Sequence, residues 1–137
     1  MANVTITTTT RHGRQCASSG SKWEPVIGYS RAVRHDNLIA ITGTVGVKPD
    51  GSYPTTIGEQ TRRALEIITA AIEALGGRLE HVIRTRMFVT DISQWQAIGE
   101  VHGAIFGDIR PATTMVEVRR LIDDAALIEI EADAVVA

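Results

Sequence analysis

The sequence predicts an α+β domain, a single layer of mixed β-sheet with two helices packed on one face. Three observations carry that reading. Apolar, β-branched residues alternate near both ends of the chain, a long stripe at helical spacing begins at Ile57, and a shorter helical stripe follows an intervening strand. At 137 residues the chain has the length of one domain, residues 1–137, and can bury one core but not two.

Taken in order, residues 4–9 alternate and are β-branched, so they are expected to form a strand. Residues 12–24 mix Gly, Ser, Lys and Arg without a period and are expected to be a loop. Leu38-Ile39-Ala40-Ile41-Thr42-Gly43 reads as a buried strand, and Lys48-Pro49-Asp50-Gly51-Ser52 as a turn. The period then changes. Ile57, Thr61, Ala64, Leu65, Ile68, Ile72 and Leu75 fall on one helical face, and Gly76-Gly77 supplies the C-terminal stop. Residues 82–89 form the next strand. A second helix between Ile92 and Phe106 is expected to turn Trp95, Ile98, Val101, His102 and Ile105 toward the core, with Asp91 or Ser93 as N-cap. Arg110-Pro111 breaks the chain, and residues 114–118 and 127–136 alternate as two last strands around a loop at Leu121-Ile122-Asp123-Asp124. Helices on one face leave the other face bare, and self-association is the simplest cover for so short a chain.

The formal net charge of -2 leaves no basic patch large enough to follow a phosphate backbone, which argues against a nucleic-acid partner. A single cysteine, Cys16, excludes an internal disulfide and fits a reducing compartment; in its Ser/Gly-rich setting it is expected to be a tolerated small residue. Residues 1–10 are Thr-rich without the apolar core of a signal peptide, and no apolar run approaches membrane-spanning length. A soluble, cytoplasmic protein with no membrane partner is expected. His12, His35, His81 and His102 lack ligand spacing, and no nucleophile elbow, P-loop or dinucleotide motif is present.

Five short stretches share an order and spacing. They are Gly28-Tyr29-Ser30-Arg31-Ala32-Val33, Ile41-Thr42-Gly43, Gln60-Thr61-Arg62-Arg63-Ala64-Leu65, Arg110-Pro111-Ala112-Thr113-Thr114-Met115-Val116-Glu117-Val118 and Ile128-Glu129-Ile130-Glu131-Ala132. Together they resemble the Rid family, the YjgF-like reactive-intermediate deaminases, over most of the chain from about Gly28 to Ala134. The resemblance implies a chorismate-mutase-like YjgF fold, assembled as a homotrimer with small-molecule clefts between subunits. It also implies hydrolysis of enamines or imines to a 2-keto acid and ammonia, with no metal and no cofactor. Glu129 stands where the family's water-holding glutamate stands, Tyr29 at a cleft-lining tyrosine, and Gly43 at a glycine whose backbone approaches the ligand. Read from spacing alone, Glu129 is a solvated carboxylate on an outward strand face, Tyr29 a packing residue and Gly43 a strand end.

Two departures follow. Thr113 stands where the family's best-studied branch has an arginine that grips a carboxylate, and a threonine has no planar fork for two parallel bonds. Gly99 stands where an asparagine often closes the cleft. Arg110 is the cation nearest in sequence to Thr113, with Arg31, His35, His102, Arg119 and Arg120 as further candidates; Arg31 itself replaces a glutamine common in the family. His102, amid apolar helix positions, is expected to be a satisfied core histidine. Arg84 and Arg86 share a strand face and are expected to need carboxylate partners such as Glu117 or Glu131. The expected function is therefore deamination of an enamine or imine other than the usual 2-imino acids. The alternative is a non-catalytic metabolite-binding or regulatory trimer, and a ribonuclease is the least supported reading, for want of basic charge and a base-stacking platform.

Overall fold

Seven strands form one sheet in the computed structural model, which describes residues 3–137. They are β1 (Thr7–Arg11), β2 (Arg14–Ser18), β3 (Ala32–His35), β4 (Leu38–Val45), β5 (Val82–Val89), β6 (Ala112–Glu117) and β7 (Ile128–Val135). The order across the sheet is β1-β2-β3-β4-β7-β5-β6, and every neighbouring pair is antiparallel except β5 and β6. Helix α1 (Ile57–Ala74) links β4 to β5, and α2 (Trp95–Phe106) links β5 to β6. Both links join strands that run parallel and both step the same way across the sheet, with β7 filling the gap between β4 and β5. Crossovers of one fixed hand then place both helices on the same face, as the sequence predicts.

All seven positions of the predicted α1 stripe are buried, and they pack with Ile39 and Ile41 of β4 and with Ile128, Ile130, Ala132 and Ala134 of β7. Each fully buried Ile or Leu contributes roughly 1.5–3 kcal/mol, so this stripe is the main source of the sheet's cohesion. Gly77 N donates to Ile72 O (2.9 Å) and Gly76 N to Glu73 O (3.0 Å), which satisfies the last carbonyls of α1. Gln60 lies on the buried side but is fully bonded. Its Nε2 donates to Pro54 O and Ala125 O (both 3.0 Å), and its Oε1 accepts from Leu127 N (2.8 Å).

The structure corrects several expectations. Residues 12–24 are not a loop throughout, because β2 occupies Arg14–Ser18 and a π-type turn covers Glu24–Gly28. His12 (φ 50°) and Gly13 (φ 76°) both take positive φ between the paired Arg11 and Arg14, the two-residue turn whose twist suits a hairpin. Consequently the first strand spans Thr7–Arg11 rather than residues 4–9. Trp95 is 56% exposed instead of core, while Ile98, Val101 and Phe106 are the buried residues of α2. Asp91 caps a short 3-10 turn, Ile92–Gln94, through Ser93 N (3.1 Å), and α2 itself begins without a side-chain cap. The strand expected at 114–118 begins at Ala112.

The helix-free face carries Arg86, whose Nη1 lies 3.1 Å from Glu131 Oε1 and 3.3 Å from Asp133 Oδ2. Glu131 is thus an expected partner and Asp133 an additional one. Glu117 instead accepts a bond from Ile92 N (3.1 Å). Among the described residues no helix is long and apolar enough to cross a membrane.

Candidate functional site

Strand β7 alternates strictly, sending Ile128 and Ile130 into the core and Glu129 to the helix-free face. Beside it, β4 leaves register with β7 between Ile41 and Thr44, so Thr42 and Gly43 bulge. Gly43 gives Glu129 its place, since a Cβ there would lie 2.8 Å from Glu129 Oε2 and 2.9 Å from its Cδ. Burial holds the Glu129 carboxyl above the ordinary carboxylate range; the positive charge of Arg31 opposes this and the negative charge of Glu131 adds to it. Among the described residues no side chain or amide donates a hydrogen bond to that carboxylate.

Arg31 is 5% exposed and is the centre of the adjoining network. Its Nε donates to Ser19 Oγ (3.1 Å), its Nη1 to Gly43 O (2.9 Å) and Thr44 Oγ1 (3.3 Å), and its Nη2 to Tyr29 OH (3.3 Å). The counter-ion is Glu24, also buried, with Oε2 3.7 Å from Nη2. Glu24 Oε2 also accepts from Ser19 N (3.2 Å), Ser19 Oγ (3.0 Å) and Ser21 N (3.3 Å). The pair thereby folds the segment between β2 and β3 against the bulge.

These residues open onto a cleft of about 820 Å³, lined by Tyr29, Arg31, Gly43 and Glu129 among others. Trp23, Ile27 and Ile122 give it an apolar rim, and Lys22, Lys48, Arg63 and Arg120 line it as well. With Arg31 that makes five cations, of which Arg31 is balanced by Glu24 and Arg120 is paired to Asp124, beside the carboxylates of Asp123 and Glu129. Tyr53 donates to Asp123 Oδ2 (3.3 Å). Burial first, then the charges of Asp123 and Glu129, push its phenol up to about 12, so Tyr53 remains a neutral donor. Arg120 is paired to Asp124 (2.8 Å) at the exposed edge.

Tyr29, Gly43 and Glu129, expected to act together, meet in this cleft. Thr113, Gly99 and Arg110 lie elsewhere in the subunit. Thr113 pairs with Thr85 across the β5–β6 ladder, whereas Glu129 pairs with Phe88. Thr85 and Phe88 are an odd number of residues apart, so their side chains, and those of Thr113 and Glu129, stand on opposite faces. Thr113 Oγ1 lies 2.5 Å from Thr85 Oγ1, which also meets His102 Nε2 (2.9 Å). His102 is half-buried and bonded, as expected of a core histidine, and burial lowers its proton affinity. Gly99 sits on the exposed side of α2 with nothing within 4 Å of a notional Cβ. Arg110 is exposed, with φ 55° and its amide bonded to Phe106 O (2.8 Å). His35 lies 3.6 Å from Asp36 and lines a shallower hollow of about 440 Å³ with His12 and Arg14. Arg119 is exposed on the loop after β6, and Cys16 is buried.

Sequence reasoning missed Glu24, Tyr53 and Asp123. Tyr53 and Asp123 sit in loops and Glu24 opens a one-turn π-type segment, all without periodicity, and the one signal was indirect: an arginine at 31 whose burial demands an acid close by.

The family model for Endoribonuclease L-PSP matches residues 20–136. A RutC family protein of Pyrococcus horikoshii is 37% identical over 113 residues, 81% of this chain and 89% of that protein. The 2-iminobutanoate/2-iminopropanoate deaminase of Escherichia coli K12 is 33% identical over 111 residues, 78% of this chain and 86% of that enzyme. Among solved structures, a member of the highly conserved YjgF/YER057c/UK114 family from Mycobacterium tuberculosis superposes with a TM-score of 0.83 at 49% identity, covering 90% of this chain and 99% of that one.

Proposed function

Because the chain belongs to the YjgF/RutC (Rid) family, the Endoribonuclease L-PSP group of its family match, we propose that it hydrolyses an enamine or imine metabolite in the cleft around Glu129. The observation that carries this reading is Glu129 itself: a partly buried carboxylate on a strand, opening onto a cleft and left without a donor from the protein. Such a group is free to accept from a water molecule. In the proposed reaction Glu129 takes a proton as that water adds to the C=N carbon. The resulting carbinolamine loses its nitrogen as ammonia once the nitrogen is protonated, and the carbonyl product remains. An enamine enters by first taking a proton at carbon to become the imine. The sequence relation to an E. coli 2-iminobutanoate/2-iminopropanoate deaminase supports the reaction class.

The substrate is proposed to differ from the usual 2-imino acids. Thr113 offers no guanidinium, and its hydroxyl is already engaged with Thr85. That engagement also favours the second reading, a cleft that binds a metabolite without turning it over. Because Thr113 and Glu129 stand on opposite faces of one sheet, their joint site is proposed to form between subunits of a homotrimer. Ammonia release from a panel of enamines and imines generated in situ separates the two readings. Turnover abolished by Glu129→Gln supports the deaminase; saturable binding with no ammonia from any member supports the binding module.

A further inference from the structure

Arg31 is a candidate to replace the missing arginine fork, yet its donors are spoken for. Ser19 Oγ, Gly43 O, Thr44 Oγ1 and Tyr29 OH each accept from it, and Glu24 balances its charge. A guanidinium has no acceptor, so each of those three hydroxyls must receive a bond from Arg31 and send its own proton elsewhere. Ser19 Oγ sends its proton to Glu24 Oε2 (3.0 Å), and Thr44 Oγ1 sends its proton to Thr42 O (2.7 Å). Tyr29 has no such acceptor among the described residues, and its ring lines the cleft.

We infer that Arg31 is a positioning residue that fixes the hydrogen-bond polarity of the cleft. It turns the Tyr29 hydroxyl proton toward the ligand, holds the Gly43 carbonyl beneath Glu129, and so selects a ligand that presents a carboxylate or carbonyl oxygen to Tyr29. A glutamine at this position could donate or accept and would leave the tyrosine proton undirected. With arginine, the cleft offers a donor at Tyr29 and an acceptor at Glu129. An anionic imine or enamine fits that polarity, with its oxygen at Tyr29 and its reacting nitrogen and water on the Glu129 side. This inference rests on reading the cleft as the ligand site, and it assigns the oxygen anchor to the same subunit as Glu129.

The test titrates 2-ketobutyrate into the folded protein, followed by the fluorescence of the rim residue Trp23, for Tyr29→Phe, Arg31→Gln and their combination. Glu24→Gln accompanies every Arg31→Gln change, and Glu24→Gln alone is the reference, so that no unpaired buried carboxylate unfolds the loop. Each change is expected to weaken binding by roughly tenfold, and the combination by no more than the larger single effect, because both act through one hydrogen bond. Additive losses would mean that Arg31 touches the ligand itself, and unimpaired binding by Tyr29→Phe would mean that the tyrosine proton is not used; either overturns the inference. Failure of the unchanged protein to bind 2-ketobutyrate overturns the oxygen anchor at Tyr29, whereas the deaminase reading, whose substrate is not a usual 2-imino acid, stands or falls by the ammonia assay. The carbon-13 titration midpoint of the Glu129 carboxyl should rise in Arg31→Gln and be restored by Arg31→Lys. A midpoint indifferent to the charge at residue 31 would overturn the positioning role.

Discussion

A methyl group at residue 43 would lie 2.8 Å from Glu129 Oε2, closer than real Cβ contacts, and the atoms it meets belong to a side chain that can swing away. Gly43→Ala should therefore leave the fold nearly as stable while displacing the carboxylate, and a shift of about 1 Å in a catalytic group can lower turnover roughly a hundredfold. Thermal unfolding measured beside kcat checks both halves; a large stability loss with normal turnover per folded molecule would refute the packing role. The proton affinity of Glu129 sets a second expectation. A general base must be ionised, and burial raises this carboxyl above its ordinary 4.5, so the acid limb of kcat/KM should lie above 4.5, with activity falling as pH drops through it. The same shift acts oppositely on stability. The folded state holds the proton more tightly than the unfolded chain, so stability falls as pH rises from 4.5 toward the folded value, and Glu129→Gln should abolish that slope. That Glu129, Tyr29 and Gly43 come together in one cleft was legible from the family motifs that contain them. The partners that give them chemistry were not, since Glu24 and Asp123 reach Arg31 and Tyr53 only after separate loops have folded together.

At the level of elements, α1 was legible almost residue for residue because one periodicity runs from Ile57 to Leu75 and every position in it is buried. The β1–β2 hairpin was not. His12-Gly13 is a poor advertisement for a two-residue turn usually announced by Asn-Gly or Asp-Gly, and the strands it joins carry Thr, Arg and Gln rather than an apolar alternation. Gln60 is a subtler case, a polar residue on the buried side of α1, recognisable from sequence only as part of a motif. Its amide connects the first turn of the helix to the segment that delivers β7, and hence Glu129, to the cleft. Replacing it by leucine keeps the volume but leaves Leu127 N–H and two carbonyls without partners, at about 1–3 kcal/mol for each buried group so orphaned. Gln60→Leu should lower the urea midpoint with an unchanged m value. A midpoint equal to that of the unchanged protein would mean that the segment before β7 does not depend on this amide.

For the whole molecule, the uncovered sheet face and the separation of Thr113 from Glu129 lead to one expectation about assembly. That face presents Leu38 (46% exposed) and Val116 (40%) around the Arg86, Glu131 and Asp133 cluster, a mixed surface suited to a partner copy. The proposed homotrimer should persist at micromolar concentration in light scattering, and a stable monomer would remove the basis for a shared cleft. Thr113→Arg then distinguishes the geometry. The new guanidinium lies on the helix-covered face at the β6 edge, whereas Glu129 points to the other face of the same sheet, so an arginine at 113 can reach its own subunit's cleft only around that edge. A neighbouring subunit's cleft is open to it if the β6 edge forms the wall between copies. In the trimer Thr113→Arg should tighten 2-ketobutyrate by roughly ten- to a hundredfold, the usual worth of a hydrogen-bonded charge. The gain should vanish when the trimer is dissociated by dilution or mild denaturant short of unfolding. An equal gain in the dissociated subunit would mean that residue 113 serves the cleft of its own chain, and the site would then be complete within one copy.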